Sequence, residues 1–164
     1  MTMSTHRDEM RVSVVPPVVL VKYKSKYGNV QVDSDNLMNL EHGYLIDNNL
    51  MHFLLFHKVE GKSTVTTFPA NKLFIFSACF YKKLTAFNPN QVRNWTKGVN
   101  IFQKDFVITP VCTGSQWILI ILKMNYGTDV LMTILDSPQT PGVTRRLSVE
   151  RFVKNYLKDE WAAK

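Results

Sequence analysis

Between Phe106 and Leu135 the sequence reads as three apolar runs separated only by turn chemistry, and this stretch constrains the possible folds more than any other. The runs are Phe106–Val111, Trp117–Lys123 and Val130–Leu135, divided by Thr113-Gly114-Ser115 and Asn125-Tyr126-Gly127. Short runs rich in β-branched and aromatic residues, bounded by glycine and asparagine, predict strands. Connections this short join antiparallel neighbours, so a meander is expected. The runs are nearly continuous in hydrophobicity rather than alternating, which predicts a sheet covered on both faces.

Helices to cover that sheet are legible on either side. Asp47 can cap a helix in which Leu50, Phe53, Leu54 and His57 recur at i, i+3, i+4 and i+7, ending near Gly61. A shorter helix is predicted from Ser34-Asp35-Asn36 to Leu40, closed by Gly43. Leu73–Phe76 leads into a helix that carries Phe80, Tyr81 and Leu84. Near the end, Val149, Phe152, Val153, Tyr156, Leu157 and Trp161 form an apolar stripe, with Ser148 as the expected cap and Glu150 in the first turn. Ahead of the helices, Val18–Tyr23 reads as a strand, Tyr27-Gly28-Asn29 as a turn and Val30–Val32 as a short extended piece. Lys62–Phe68 is a polar excursion, Asn88-Pro89-Asn90 a turn, Val92–Lys97 one helical turn, and residues 138–142 a loop. Helices, then sheet, then helix is an α+β arrangement. The 164 residues suit one domain, read as a flexible arm over 1–17 and a folded unit over 18–164.

Composition removes several classes of function. Only two cysteines, Cys79 and Cys112, are present, too few for a disulfide framework and in keeping with a reducing compartment. The apolar stretch Val12–Val21 is broken by Pro16 and Pro17, and no run approaches the roughly 20 residues of a membrane helix, so a soluble intracellular protein is expected. Gly61-Lys62-Ser63 resembles the end of a phosphate loop, but Phe56 stands where that loop needs glycine. The histidines are His6, His42, His52 and His57. His52 and His57 lie five apart without a cysteine pair, so neither a metal nor a cofactor is expected. Cys79 reads as a buried small hydrophobe and Cys112 as the more exposed thiol. The net charge of +7 favours acidic partners. Lys82, Lys83, Arg93, Lys97 and Lys104 interleave with Phe80, Tyr81, Phe87, Trp95 and Phe102, a pattern open to two readings: a nucleic-acid surface, or core aromatics with solvated lysines.

Several segments also match one family in order and spacing. Leu45-Ile46-Asp47 before an apolar helix, Leu73–Leu84, Val92–Lys97, Val99–Val111, Gln116-Trp117-Ile118-Leu119, Leu135-Asp136-Ser137 and Tyr156–Trp161 together resemble the SUMO-specific (ubiquitin-like-specific) cysteine proteases, and within them the branch that trims poly-SUMO chains. The resemblance spans residues 18–164 and implies a papain-like α+β fold, a central mixed sheet with flanking helices. In that family a cysteine thiolate attacks the SUMO C-terminal glycine carbonyl. A histidine activates the thiol, an aspartate orients the histidine and a glutamine stabilises the oxyanion.

By position the resemblance puts the aspartate at Asp136, aromatic lids for the SUMO tail at Trp117 and Tyr44, and a SUMO-facing contact at Asp47. The histidine position holds Gln116, whose carboxamide cannot titrate near neutral pH. The cysteine-bearing part of the family is not matched, which leaves Gln116 and Asp136 as vestiges and one face of the 106–135 sheet without its usual cover. The expectation is a pseudoprotease that acts as a protein-interaction or assembly scaffold, nuclear or cytoplasmic, with residual SUMO binding open. A homodimer or a hetero-complex would cover the bare sheet face. The alternatives are a hydrolase that uses Cys112 or a cysteine from another chain, and a basic nucleic-acid-binding module.

Overall fold

The computed structural model describes residues 16–61, 70–86, 92, 94–114, 116–125, 129–136 and 143–164. Its centre is the predicted meander: β4 (Phe106–Cys112), β5 (Trp117–Asn125) and β6 (Asp129–Asp136), each antiparallel to the next. A short strand, β3 (Leu73–Ile75), adds in parallel to β4, so the sheet is mixed, in the order β3-β4-β5-β6.

The register decides which side chains share a face. Val107 pairs with Leu122, Thr109 with Ile120 and Val111 with Ile118. Across the next pair Ile118 faces Asp136, Ile120 faces Ile134 and Leu122 faces Met132. Strand side chains alternate, so these residues line one face. That face is the main core. Val107, Val111, Ile118, Ile120 and Leu122 are fully buried against Phe76, Phe80, Val149, Val153 and Tyr156. The last three belong to the final helix, α4 (Val143–Ala162). Phe80 opens the short helix α3 (Phe80–Thr85) and stacks on Phe76 at 3.9 Å.

The expectation of cover on both faces holds only in part. Leu73, Ile75, Phe106 and Ile108 occupy the second face at the β3–β4 side and pack with Phe56 and Val30. Phe56 comes from α2 (Asn48–Glu60), and Val30 from β2 (Gly28–Asp33). Toward β6 that face opens to solvent: Leu131 is 59% exposed and Leu135 50%. Apolar continuity in sequence therefore marks a partly bare sheet here.

The hairpin of β1 (Val19–Ser25) and β2 lies against α2. Its turn is Lys26-Tyr27, one residue earlier than expected, because Ser25 pairs directly with Gly28. Glu60 ties this turn to the end of α2 by accepting from Tyr23 Oη (2.9 Å), Ser25 Oγ (2.8 Å) and the Lys26 N–H (2.9 Å). Burial acts to raise the Glu60 pKa, but the three hydrogen bonds outweigh it, and the carboxyl lies below its ordinary value.

Two caps differ from expectation. In α1 (Ser34–Glu41) the cap is Asp33, with Asn36 completing a reciprocal capping box three residues on. In α4 Ser148 lies inside the helix rather than at its start, because the backbone is already helical from Val143, directly after Pro141-Gly142 in the sequence. Val92 and residues 94–98 lie in turns, with Trp95 N–H donating to Val92 O and Val99 N–H to Thr96 O. These turns are fixed to α4 by Thr96 Oγ1, which donates to the buried Glu160 at 2.6 Å. The excursion at 62–68, the turn at 88–90 and the loop at 138–142 lie outside the described residues, as does residues 1–15 of the expected arm. Among the described residues no helix is long and apolar enough to cross a membrane.

The two faces predict unequal costs of truncation. Ile120→Ala should destabilise the chain by about 2–5 kcal/mol, whereas Leu131→Ala should cost about 0.5 kcal/mol or less. Urea unfolding of both variants measures this, and equal losses would mean that the β6 side of the second face is buried.

Candidate functional site

The residues singled out by position converge on one end of the sheet. β5 begins there and β6 ends there, so Gln116 and Trp117 adjoin Asp136 through antiparallel pairing: Asp136 lies directly opposite Ile118. Gln116 closes the turn from β4, its carbonyl accepting from Thr113 N–H at 3.0 Å and from Thr113 Oγ1 at 3.3 Å. Gly114 takes a φ of 94° in that turn, a backbone conformation that disfavours a side chain.

Trp117 joins this end of the sheet to a distant segment. Its indole Nε1 donates to the Ile46 carbonyl at 2.7 Å. Ile46 lies between Tyr44 and Asp47, so one hydrogen bond holds the segment carrying the expected aromatic lid and the expected SUMO-facing carboxylate beside β5. Tyr44 is 66% exposed and stacks near-parallel on His42 at 6.1 Å.

Asp47 is committed to internal structure. Oδ1 caps α2 by accepting from Leu50 N–H at 2.9 Å, and Oδ2 accepts from the buried side chain of Asn36. Asn36 also accepts from Asp33 N–H at 2.8 Å, so it clamps the starts of α1 and α2 together. Sequence reasoning gave Asn36 only a capping role in α1. The Asp33-x-x-Asn36 spacing was the available signal for the box, and none existed for the bridge to Asp47.

Asp136 presents an unusual group. Its Oδ1 is buried and meets no hydrogen-bond donor among the described residues. A buried polar atom left unpaired costs about 1–3 kcal/mol, so such a position calls for a bound water, an ion or a functional partner.

The two thiols fall in separate places. Cys112 pairs across the strands with Trp117, beside the converging residues. Cys79 sits before α3 and accepts from Asn48 Nδ2 at 3.1 Å. Next to it, His52 Nε2 accepts the Ala78 N–H at 2.6 Å, and its ring stacks on Phe56. Burial pushes the His52 imidazole below its ordinary pKa. His52 therefore acts as a neutral acceptor that holds the lead into α3. Among the described residues no group of three His, Cys, Asp or Glu could hold a metal. Phe80 and Phe102 are buried, and Trp95 and Tyr81 pack against the same core, so these aromatics do not form a stacking platform for bases. Phe87 and Arg93 lie outside the described residues.

Comparison with known proteins points in one direction. Residues 46–164 match the profile described as "Ulp1 protease family, C-terminal catalytic domain". Human "Sentrin-specific protease 7" is 27% identical over 150 residues, covering 82% of this chain and 14% of that protein. Mouse "Sentrin-specific protease 2" is 27% identical over 95 residues, covering 58% of this chain and 16% of that protein. The chain thus spans about one-seventh of the length of these curated relatives. A solved structure titled "Crystal structure of the de-sumoylating protease" superposes with a TM-score of 0.66 at 20% identity, over 90% of this chain and 59% of that one. The mixed α+β fold expected from the sequence is the fold found.

The neutral His52 makes stability depend on pH. Below about 6.5 the unfolded chain takes up a proton that the folded chain resists, so stability falls as pH drops from that value toward the depressed folded pKa. The denaturation midpoint should decrease between about pH 7 and pH 5, with a shallower slope in His52→Gln, which keeps an acceptor but does not titrate. Identical slopes would assign the pH dependence to other groups.

Proposed function

We propose, from the premise that this chain belongs to the Ulp1 protease family, that it is a non-catalytic member whose retained surfaces bind protein partners, SUMO among them. The family is one of cysteine proteases, and its chemistry needs a titratable base between thiol and aspartate. Gln116 occupies that position and cannot accept a thiol proton. The observation that carries the proposal is the pairing of Gln116 with an idle Asp136, whose buried Oδ1 has no donor among the described residues. In the active relatives the resemblance puts an imidazole N–H at that oxygen. Here the carboxyl has no imidazole to orient.

Binding needs less than catalysis and more of it remains. Trp117 and the exposed Tyr44 supply aromatic surface near the Ile46 bond, suited to holding a narrow glycine-rich tail. A chain that recognises SUMO without cutting it would assemble or shield SUMO-modified proteins, and a nuclear location suits that role. No histidine lies on β4, β5 or β6, which weighs against Cys112 as the nucleophile of the hydrolase alternative.

With SUMO carrying a C-terminal fluorogenic amide, the full chain should release no fluorophore, and a SUMO tail electrophile should add to neither Cys79 nor Cys112 by intact-mass analysis. Turnover, or an adduct on Cys112, would overturn the non-catalytic reading. In calorimetric titration with SUMO, Trp117→Ala should weaken binding by about 1.4 kcal/mol or more, roughly tenfold. Asp47→Asn, which keeps an oxygen for the helix cap but turns an NH2 toward the Asn36 donor, should weaken it through loss of the charge together with the Asn36 bond. Unchanged affinity in both variants would mean that the ancestral SUMO face is not used.

A further inference from the structure

A surface helix is ordinarily held by an apolar stripe. α1 is held differently. Its one buried side chain is polar: Asn36 is 7% exposed, whereas Leu37, Met38 and Leu40 are 42%, 48% and 46% exposed. Hydrogen bonds at its start do the anchoring. Ser34 N–H donates to Val18 O at 2.9 Å, and Asn36 reaches across to the start of α2.

The Asn36 amide is used at both of its ends. Oδ1 accepts from Asp33 N–H at 2.8 Å, and Nδ2 donates to Asp47 Oδ2. The partners decide which end is which, since an N–H needs the oxygen and a carboxylate needs the nitrogen. Aspartate at 36 would bring two carboxylates together. An apolar residue there would remove the donor to Asp47 and leave Asp33 N–H without its acceptor.

The same clamp brackets the segment beside Trp117. That segment leaves α1 through Gly43, which takes a φ of 72°, and Tyr44 N–H donates back to Asn39 O at 2.9 Å. It enters α2 at Asp47, whose Oδ1 accepts from Leu50 N–H at 2.9 Å. Between these two fixed points Ile46 O accepts from Trp117 Nε1 at 2.7 Å. The placement of α1 on α2 therefore sets where Tyr44 and the Ile46 carbonyl stand relative to β5.

We propose that Asn36 is the positioning residue of the Trp117–Tyr44 surface: by tying α1 to Asp47 it sets how Tyr44 stands to Trp117, and so the affinity for a tail held there, without touching the partner. Its effect on affinity rests on the binding reading above. Its effect on Trp117 rests on the geometry alone. The polarity of the clamp can be exchanged. In the double variant Asn36→Asp, Asp47→Asn, a carboxylate at 36 accepts from Asp33 N–H and from the new amide at 47, whose oxygen still caps Leu50 N–H.

Solvent exchange of the Trp117 indole N–H, followed by NMR in the folded chain, tests the proposal. Asn36→Asp opposes two carboxylates and Asp47→Asn opposes two amides, so each should speed the exchange about tenfold or more. Asp47→Asn adds no buried charge, so it carries the comparison if Asn36→Asp does not fold. The double variant should return the rate to within about threefold of the original. In calorimetric titration it should bind SUMO more tightly than Asp47→Asn, although both lack the carboxylate at 47. Unchanged indole exchange in the single variants, a double variant no better protected than they are, or equal SUMO affinity of the double variant and Asp47→Asn would overturn the proposal. An unaltered chain that binds no SUMO would overturn the binding reading instead, and the indole rates would then decide the role of Asn36.

Discussion

The fold depends on one buried contact, the seating of α4 and Phe76–Phe80 on a single face of β4, β5 and β6. Ile118, Ile120 and Leu122 meet Val149, Val153 and Tyr156 there. Burying a side chain of this size contributes about 1.5–3 kcal/mol, and among the described residues no other cluster gathers as many. Everything at the site end is placed by it. Once Ile118 is held in the core, the pleat directs Trp117 to the opposite face, and the register sets Asp136 beside the start of β5.

At that end Gln116, Trp117 and Asp136 come together beside the segment from Tyr44 to Asp47. The Trp117–Ile46 bond, the Asp47 cap and the Asn36 clamp are each satisfied internally, and together they fix the segment from Tyr44 to Asp47. Among the described residues the buried Oδ1 of Asp136 meets no donor.

Much of this was legible in the sequence where the determinants are local. The three strands of the meander declared themselves through their turns, and Asp47 announced α2 through its spacing to the apolar positions that follow. Ser148 misled because a serine before an apolar stripe is also what a helix interior can contain, and the true start lay at Val143. The long-range bonds were invisible. Trp117 and Ile46 are separated by 71 residues, and nothing near either one signals the other. The partly bare second face could not be read from hydrophobicity, because Leu131 and Leu135 have the composition of core residues and the exposure of a surface. His52 entered the sequence reading only beside His57 as a metal pair set aside for its spacing, and only its contact with Ala78 gives it a role.

The central claim is that position 116 and Asp136 still form the remains of a histidine–aspartate pair. Titration of Gln116→His by NMR tests it directly. The new imidazole should titrate above the ordinary value of about 6.5, because the Asp136 carboxylate favours its charged form, and Asp136→Asn in the same background should return it to that value. An imidazole at 116 that titrates identically with Asp136 and with Asn at that position would contradict the claim, since the two positions would then not face each other.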